Sequence, residues 1–155
     1  MHDALGSMLL VSGPSGSGKS TLCKRLLEDA RVVFSVSATT RPRRPNEVDG
    51  RDYHFLERPV FEAKVQAGDF LEWAEVFGNL YGTLRSEWRS AVAGGKVFLV
   101  EIDVQGAAQL RKLGLPGLYV FIAPPSMAVL CERLRVRGTE TAAMLERRLQ
   151  KAEDE

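Results

Sequence analysis

The chain has 155 residues, 45% hydrophobic and 26% charged, and its 21 basic and 20 acidic residues leave a net charge of +1. That composition fits one globular domain, excludes a disordered or fibrous chain, and supplies no overall field to recruit nucleic acid or a membrane surface. No apolar run approaches the roughly 18–20 residues of a membrane span, Met1-His2-Asp3 lacks the start of a signal peptide, and two cysteines make neither a disulfide framework nor a metal cluster, so a cytoplasmic protein is expected.

Met8–Ser12 is a short apolar run that stops at Gly13 and reads as a strand. From Lys19 the pattern turns helical, with Leu22, Leu26 and Leu27 three and four residues apart. Val32–Val36 is β-branched and reads as a second strand. Residues 38–58 hold five arginines among prolines and Gly50, with Tyr53, His54 and Phe55 grouped together. This is a loop with a short strand, too polar for core. Pro59–Ala67 predicts a short helix stopped by Gly68, then a strand at Phe70–Val76 and a turn at Gly78-Asn79. Leu84–Ala93 predicts a helix closed by Gly94-Gly95.

Val97–Ile102 is a continuous apolar strand that runs into acids, the profile of burial on both faces. Gln105–Lys112 predicts a helix stopped by Gly114, and Leu118–Ile122 a further buried strand closed by Pro124-Pro125. Ser126 can cap a helix from Met127, whose Val129, Leu130 and Leu134 keep helical spacing, and Thr141 opens a last amphipathic helix. Cys23 and Cys131 fall at helical core positions. Strands alternating with helices predict an α/β fold, a parallel sheet with right-handed crossovers and flanking helices. A small β-rich lobe, about residues 38–83, is inserted into a core of about 8–37 and 84–155.

Gly13-Pro14-Ser15-Gly16-Ser17-Gly18-Lys19-Ser20 fits G-x-x-x-x-G-K-[ST] between a strand and a helix. Glycines let the backbone wrap a phosphate, so that amide groups and the helix N-terminus meet its charge. Lys19 would reach the β- and γ-phosphates and the Ser20 hydroxyl would ligate Mg²⁺. Glu101 and Asp103 are acid partners for that loop at the end of a buried strand, and either would also serve as a helix cap. The loop alone admits a GTPase, an ATPase motor or a small-molecule kinase.

Seven motifs narrow this. Gly13–Thr21, Ser37-Ala38-Thr39-Thr40-Arg41-Pro42-Arg43-Arg44, Gly50-Arg51-Asp52-Tyr53, Phe70-Leu71-Glu72-Trp73-Ala74, Gly78-Asn79-Leu80-Tyr81-Gly82-Thr83, Glu101-Ile102-Asp103-Val104-Gln105-Gly106 and Arg137-Gly138-Thr139-Glu140-Thr141 occur in this order from about residue 8 onward. In order and spacing they resemble the guanylate kinase family. The resemblance implies Mg-dependent transfer of the ATP γ-phosphate to GMP or dGMP, in a phosphate-loop core with a GMP lobe and a helical lid at about 133–148. It places ATP on Gly13, Pro14, Ser15, Gly16, Ser17, Gly18, Lys19, Ser20 and Thr21, and Mg²⁺ on Ser20 with Glu101 acting through water. It places GMP on Ser37, Arg41, Arg44, Tyr53, Glu72, Tyr81, Gly82, Thr83 and Asp103. Lys19, Arg41, Arg133, Arg137 and Arg148 become the cations around the transferred phosphate.

One assignment has chemical sense by itself. Guanine presents two adjacent donors beside a carbonyl, a pattern that a carboxylate such as Glu72 complements and that adenine lacks. The family continues past the last helix with a strand, an asparagine-containing loop and a terminal helix, whereas this sequence stops at Glu155. Two other functions were weighed. A phosphopeptide-binding scaffold module typically has a degraded phosphate loop, which is intact here, and a sugar-bisphosphate kinase would have no use for Glu72. No motif fixes an oligomeric state.

Overall fold

The structure is a computed structural model that describes residues 7–136 and 141–154. Two four-stranded sheets organise it. The elements run β1 (Met8–Ser12), α1 (Lys19–Leu26), β2 (Val32–Phe34), β3 (Ala38–Thr39), β4 (His54–Phe55), α2 (Arg58–Gln66), β5 (Phe70–Val76) and β6 (Asn79–Leu84). They continue with α3 (Arg85–Ala93), β7 (Val97–Glu101), α4 (Val104–Lys112), β8 (Gly117–Phe121), α5 (Met127–Val136) and α6 (Ala142–Asp154).

The first sheet is wholly parallel, in the order β2-β7-β1-β8, as the alternation of strands and helices requires. Successive side chains on β1 point to opposite faces. Met8 and Leu10 join Phe98, Val100 and Leu110 beneath α3 and α4, while Val11 joins Leu99 and Cys23 beneath α1. Phe98, Leu99 and Val100 are fully buried, which agrees with the uninterrupted apolar run of β7. The second sheet, β4-β3-β6-β5, is mixed. Its own core is Ala38, Phe61, Phe70 and Leu80, with Phe61 stacked on Phe70 at 4.5 Å.

Several local expectations change. The run Leu118–Ile122 reads as a buried strand, yet β8 is the sheet edge beyond β1, and Leu118 is 63% exposed. An edge strand has one neighbour fewer, so an apolar run does not guarantee cover. The turn at Gly78-Asn79 lies one residue earlier: Val76 pairs with Asn79, leaving Phe77 and Gly78 as the two central residues. Residues 79–84 form a strand rather than simply the approach to α3. The stretch 38–58 is not all too polar for core, because Ala38 and Thr39 are completely buried under α2 and β6. Strand β2 stops at Phe34, and α1 buries Cys23 and half-buries Leu26 while leaving Leu22 and Leu27 exposed. Cys131 is only half-buried.

Both caps foreseen late in the chain form, with Ser126 Oγ accepting from Val129 N–H at 3.2 Å and Thr141 Oγ1 from Met144 N–H at 3.3 Å. Among the described residues, no helix is long and apolar enough to cross a membrane.

Candidate functional site

The phosphate loop joins β1 to α1. Gly13 must be glycine: a Cβ there would strike the carbonyl oxygen of Ile122 on the neighbouring segment, and its φ is 139°. Lys19 folds back so that Nζ donates to the carbonyl oxygens of Gly13 and of Pro14, the latter at 2.8 Å. Ser20 Oγ donates to Glu101 Oε1 at 2.8 Å, joining the start of α1 to the end of β7. The Ser17 hydroxyl inside the loop is buried and has no hydrogen-bond partner among the described residues. Burial, then the charge of the adjacent Glu101, push the Cys23 thiol up to about 12, so it stays neutral behind the loop.

Two arginines from the last helices cover the loop. Arg133 Nη1 on α5 donates to the carbonyls of Gly16 and Ser17 at 3.3 and 3.4 Å. Arg148 Nη1 on α6 donates to Ser15 Oγ at 2.7 Å. Gly16, Gly18 and Thr21 complete the loop and first turn, with Thr21 exposed. Arg137 lies outside the described residues.

The second sheet carries a different kind of site. Glu72 on β5 is 4% exposed, and its Oε1 accepts from Thr83 Oγ1 on β6 at 2.6 Å. The two residues meet because β5 and β6 are antiparallel neighbours with Glu72 opposite Thr83. Burial pushes the Glu72 carboxyl up to about 7; the Thr83 hydrogen bond pulls the other way, and the Asp103 charge adds to the rise. Gly82 pairs with Ala38, which places Ser37 and Thr83 at the same end of that ladder.

Arg41 forms a second cluster. Its guanidinium lies 5.5 Å from the Tyr53 ring centre, and Tyr53 packs edge-on against Tyr81 at 6.1 Å. Burial raises the Tyr53 hydroxyl above its ordinary value, with the nearby Tyr81 and Glu101 adding to the effect. Arg44 is exposed on the same loop.

The structure therefore brings Lys19, Ser20, Glu101, Arg133 and Arg148 to the phosphate loop, and separately joins Glu72 with Thr83, and Arg41 with Tyr53 and Tyr81. Asp103 stands slightly apart. It caps α4 by accepting from Gly106 N–H at 3.0 Å, and it pairs with Lys151 at 3.2 Å.

Three residues were missed. Glu47 pairs with Arg41 at 2.7 Å and accepts from the Arg44 main-chain N–H at 2.8 Å, so it shapes the arginine loop. Gly106 on α4 faces Glu72 so closely that a Cβ would strike Oε2 and lie 3.0 Å from Cδ. Gln109 on α4 donates to the Trp73 carbonyl at 2.6 Å and accepts from Trp73 N–H at 3.3 Å, tying the edge of β5 to the first sheet. Glu47 and Gln109 have no sequence signal; the glycine inside a helix at 106 was a usable one.

The comparisons with known proteins agree with this geometry. The family model for guanylate kinase matches residues 6–155. A guanylate kinase of Rhodopseudomonas palustris (strain BisB5) is 49% identical over 152 residues, covering 97% of this chain and 69% of that protein. One from Thermotoga maritima is 47% identical over 148 residues, covering 95% and 72%. The crystal structure of guanylate kinase from Anaplasma phagocytophilum superposes with a TM-score of 0.74 at 37% identity, over 96% of this chain and 74% of that one. With the motifs in order, the phosphate loop built and the likeness running nearly end to end, the chain belongs to the guanylate kinase family.

Proposed function

We propose that this chain transfers the γ-phosphate of ATP to GMP, and to dGMP, giving ADP and the guanosine diphosphate that supplies GTP and dGTP. The observation that carries the reading is Glu72: a buried carboxyl held by a hydroxyl and packed against Gly106, in a chain that also builds a complete phosphate loop. Among the described residues no cation pairs with it. A base offering two adjacent N–H donors would satisfy such a group, and guanine offers them at N1 and N2. Adenine, lacking the N1 proton, would leave the carboxylate partly unpaired.

On the donor side, the cations now rest on carbonyl and hydroxyl oxygens of the loop. A triphosphate would replace those neutral oxygens by anionic ones, adding Coulomb attraction and bidentate geometry to bonds that the cations already make. Lys19, Arg133 and Arg148 would then surround the transferred phosphate, joined by Arg137. The oxygen pair of Ser20 and Glu101 suits a hard cation, Ser20 as ligand and Glu101 through water. Bound Mg²⁺ would supply charge neutralisation at the β- and γ-phosphates.

On the acceptor side, Arg41 and Arg44, with Tyr53 and Tyr81, would grip the GMP phosphate, where planar guanidinium forks suit a dianion. A phosphate oxygen of GMP bonds to the γ-phosphorus, the bond to the β-bridging oxygen breaks, and ADP leaves. The attacking phosphate is largely ionised at neutral pH, so alignment and charge do the catalysis without a strong base. The segment of about 133–148 would act as the lid that excludes water, and the second sheet with its loop, about 38–83, as the GMP lobe.

ADP release from Mg·ATP in the presence of GMP, AMP, UMP or no acceptor tests the proposal. Release is expected with GMP and near background otherwise. Equal release with AMP would overturn the reading of Glu72.

A further inference from the structure

We infer that Phe77, at the tip of the β5–β6 hairpin, is a positioning residue that latches α6 to the acceptor lobe and so sets Arg148 over the phosphate loop. Phe77 and Gly78 are the two central residues of a two-residue turn, at φ 50° and 79°. Turns with both central residues at positive φ favour asparagine, aspartate or glycine first, because a larger L side chain is strained there. Phe77 is the one non-glycine residue at positive φ among the described residues. It is also 51% exposed, so burial does not offset the strain. Its ring instead meets two cations of α6: the Arg148 guanidinium lies 5.7 Å from the ring centre and the Lys151 ammonium 5.4 Å.

Those cations lead to both halves of the site. Arg148 reaches Ser15 of the phosphate loop, and Lys151 reaches Asp103 at the start of α4, whose charge acts on Glu72. An aromatic face suits this task better than an acid would. It attracts a guanidinium or ammonium over its face through the ring quadrupole and takes up none of the N–H donors itself. Movement of the acceptor hairpin is thereby transmitted to an arginine of the donor side. The inference rests on the proposed role of Arg148 in phosphoryl transfer.

Steady-state turnover of the whole chain with F77N, F77L and F77Y tests it. F77N creates the favoured Asn-Gly turn, so a purely structural role predicts unchanged or improved behaviour. The latch predicts that F77N and F77L each lower kcat by about tenfold with KM for GMP within about twofold, while F77Y stays within about twofold of wild type. Wild-type kcat in F77N would overturn the inference, as would equal losses in F77L and F77Y. If the wild-type chain releases no ADP with GMP, the activity reading fails by itself. The latch is then read from Tm in F77N, K151M and the double variant: non-additive shifts retain it, and additive shifts overturn it.

Discussion

The phosphate loop and the Glu72 pocket hold their ligand-facing groups by different means. The loop is built from eight consecutive residues, Gly13–Ser20, running from the end of β1 into the first turn of α1, and its geometry is mostly backbone: amides, glycine dihedrals and carbonyls gripped by Lys19. The Glu72 pocket is built from side chains that are distant in sequence. Glu72 comes from β5, Thr83 from β6, Gly106 from α4, and its charge is held by one hydroxyl against a large desolvation. A backbone site accepts any nucleoside triphosphate's phosphates, since it reads charge and shape. A buried side-chain site reads one hydrogen-bond pattern, because each unmatched group is costly. On the proposed reading, the loop would bind phosphates with little regard to the base, and the Glu72 pocket would select the acceptor.

Variants sharpen this contrast. The largest effect is expected for K19A, which removes the ammonium proposed to meet the β- and γ-phosphates. Turnover should fall by about 10³-fold or more with the fold kept by circular dichroism; turnover near wild type would remove Lys19 from the reaction. Next is E72Q, for which kcat/KM with GMP should fall by about 10²-fold while KM for ATP stays within about twofold. Equal changes in both constants would erase the distinction between the regions.

The same residue makes a pH prediction. Because the free carboxyl titrates near 7, KM for GMP should rise by about tenfold between pH 8 and pH 6, and E72Q should flatten that part of the profile. The sign for stability is opposite. The folded value lies above the unfolded one, so this group's contribution is fully present below about pH 4.5 and is lost as pH rises through about 7. E72Q should therefore stabilise the free chain by up to about 3 kcal/mol at pH 8 and by little at pH 4.5, measured by urea unfolding.

A smaller effect is expected for G106A. Alanine in a helix interior ordinarily stabilises by about 0.5–1 kcal/mol. Here the new methyl would displace Glu72, so KM for GMP should rise by about tenfold, and shortening the acid in G106A/E72D should recover part of it. A G106A variant with unchanged KM would show that the close approach carries no function.

The two regions also differ in how far the sequence reveals them. The phosphate loop was legible because its residues are contiguous and the strand and helix that frame it have clear periodicity. Ser20 and Glu101 were expected to cooperate and do meet. The second sheet was half legible. Strand β5 stood out, but β6 was hidden between a turn and a helix start, and two-residue strands such as β3 and β4 are below the length at which alternation can be seen. Turn chemistry misled at Phe77, where a residue unsuited to positive φ pushed the expected turn one position along. Exposure of β8 depended on sheet order, which no local pattern encodes. Gly106 owes its role to Glu72, which only the fold brings near, and Glu47 to Arg41 and Arg44, which are close in sequence but meet it only through the shape of the loop.

On the proposed reading Glu72, its carboxyl raised by burial to about 7, gives up its proton as guanine binds. Calorimetric titration of GMP at pH 7, in buffers of different ionisation enthalpy, measures this directly. With burial raising the carboxyl to about 7, wild type should release more protons per GMP bound than E72Q does. Identical proton release in the two would contradict the account, because binding would then leave the Glu72 carboxyl as it was.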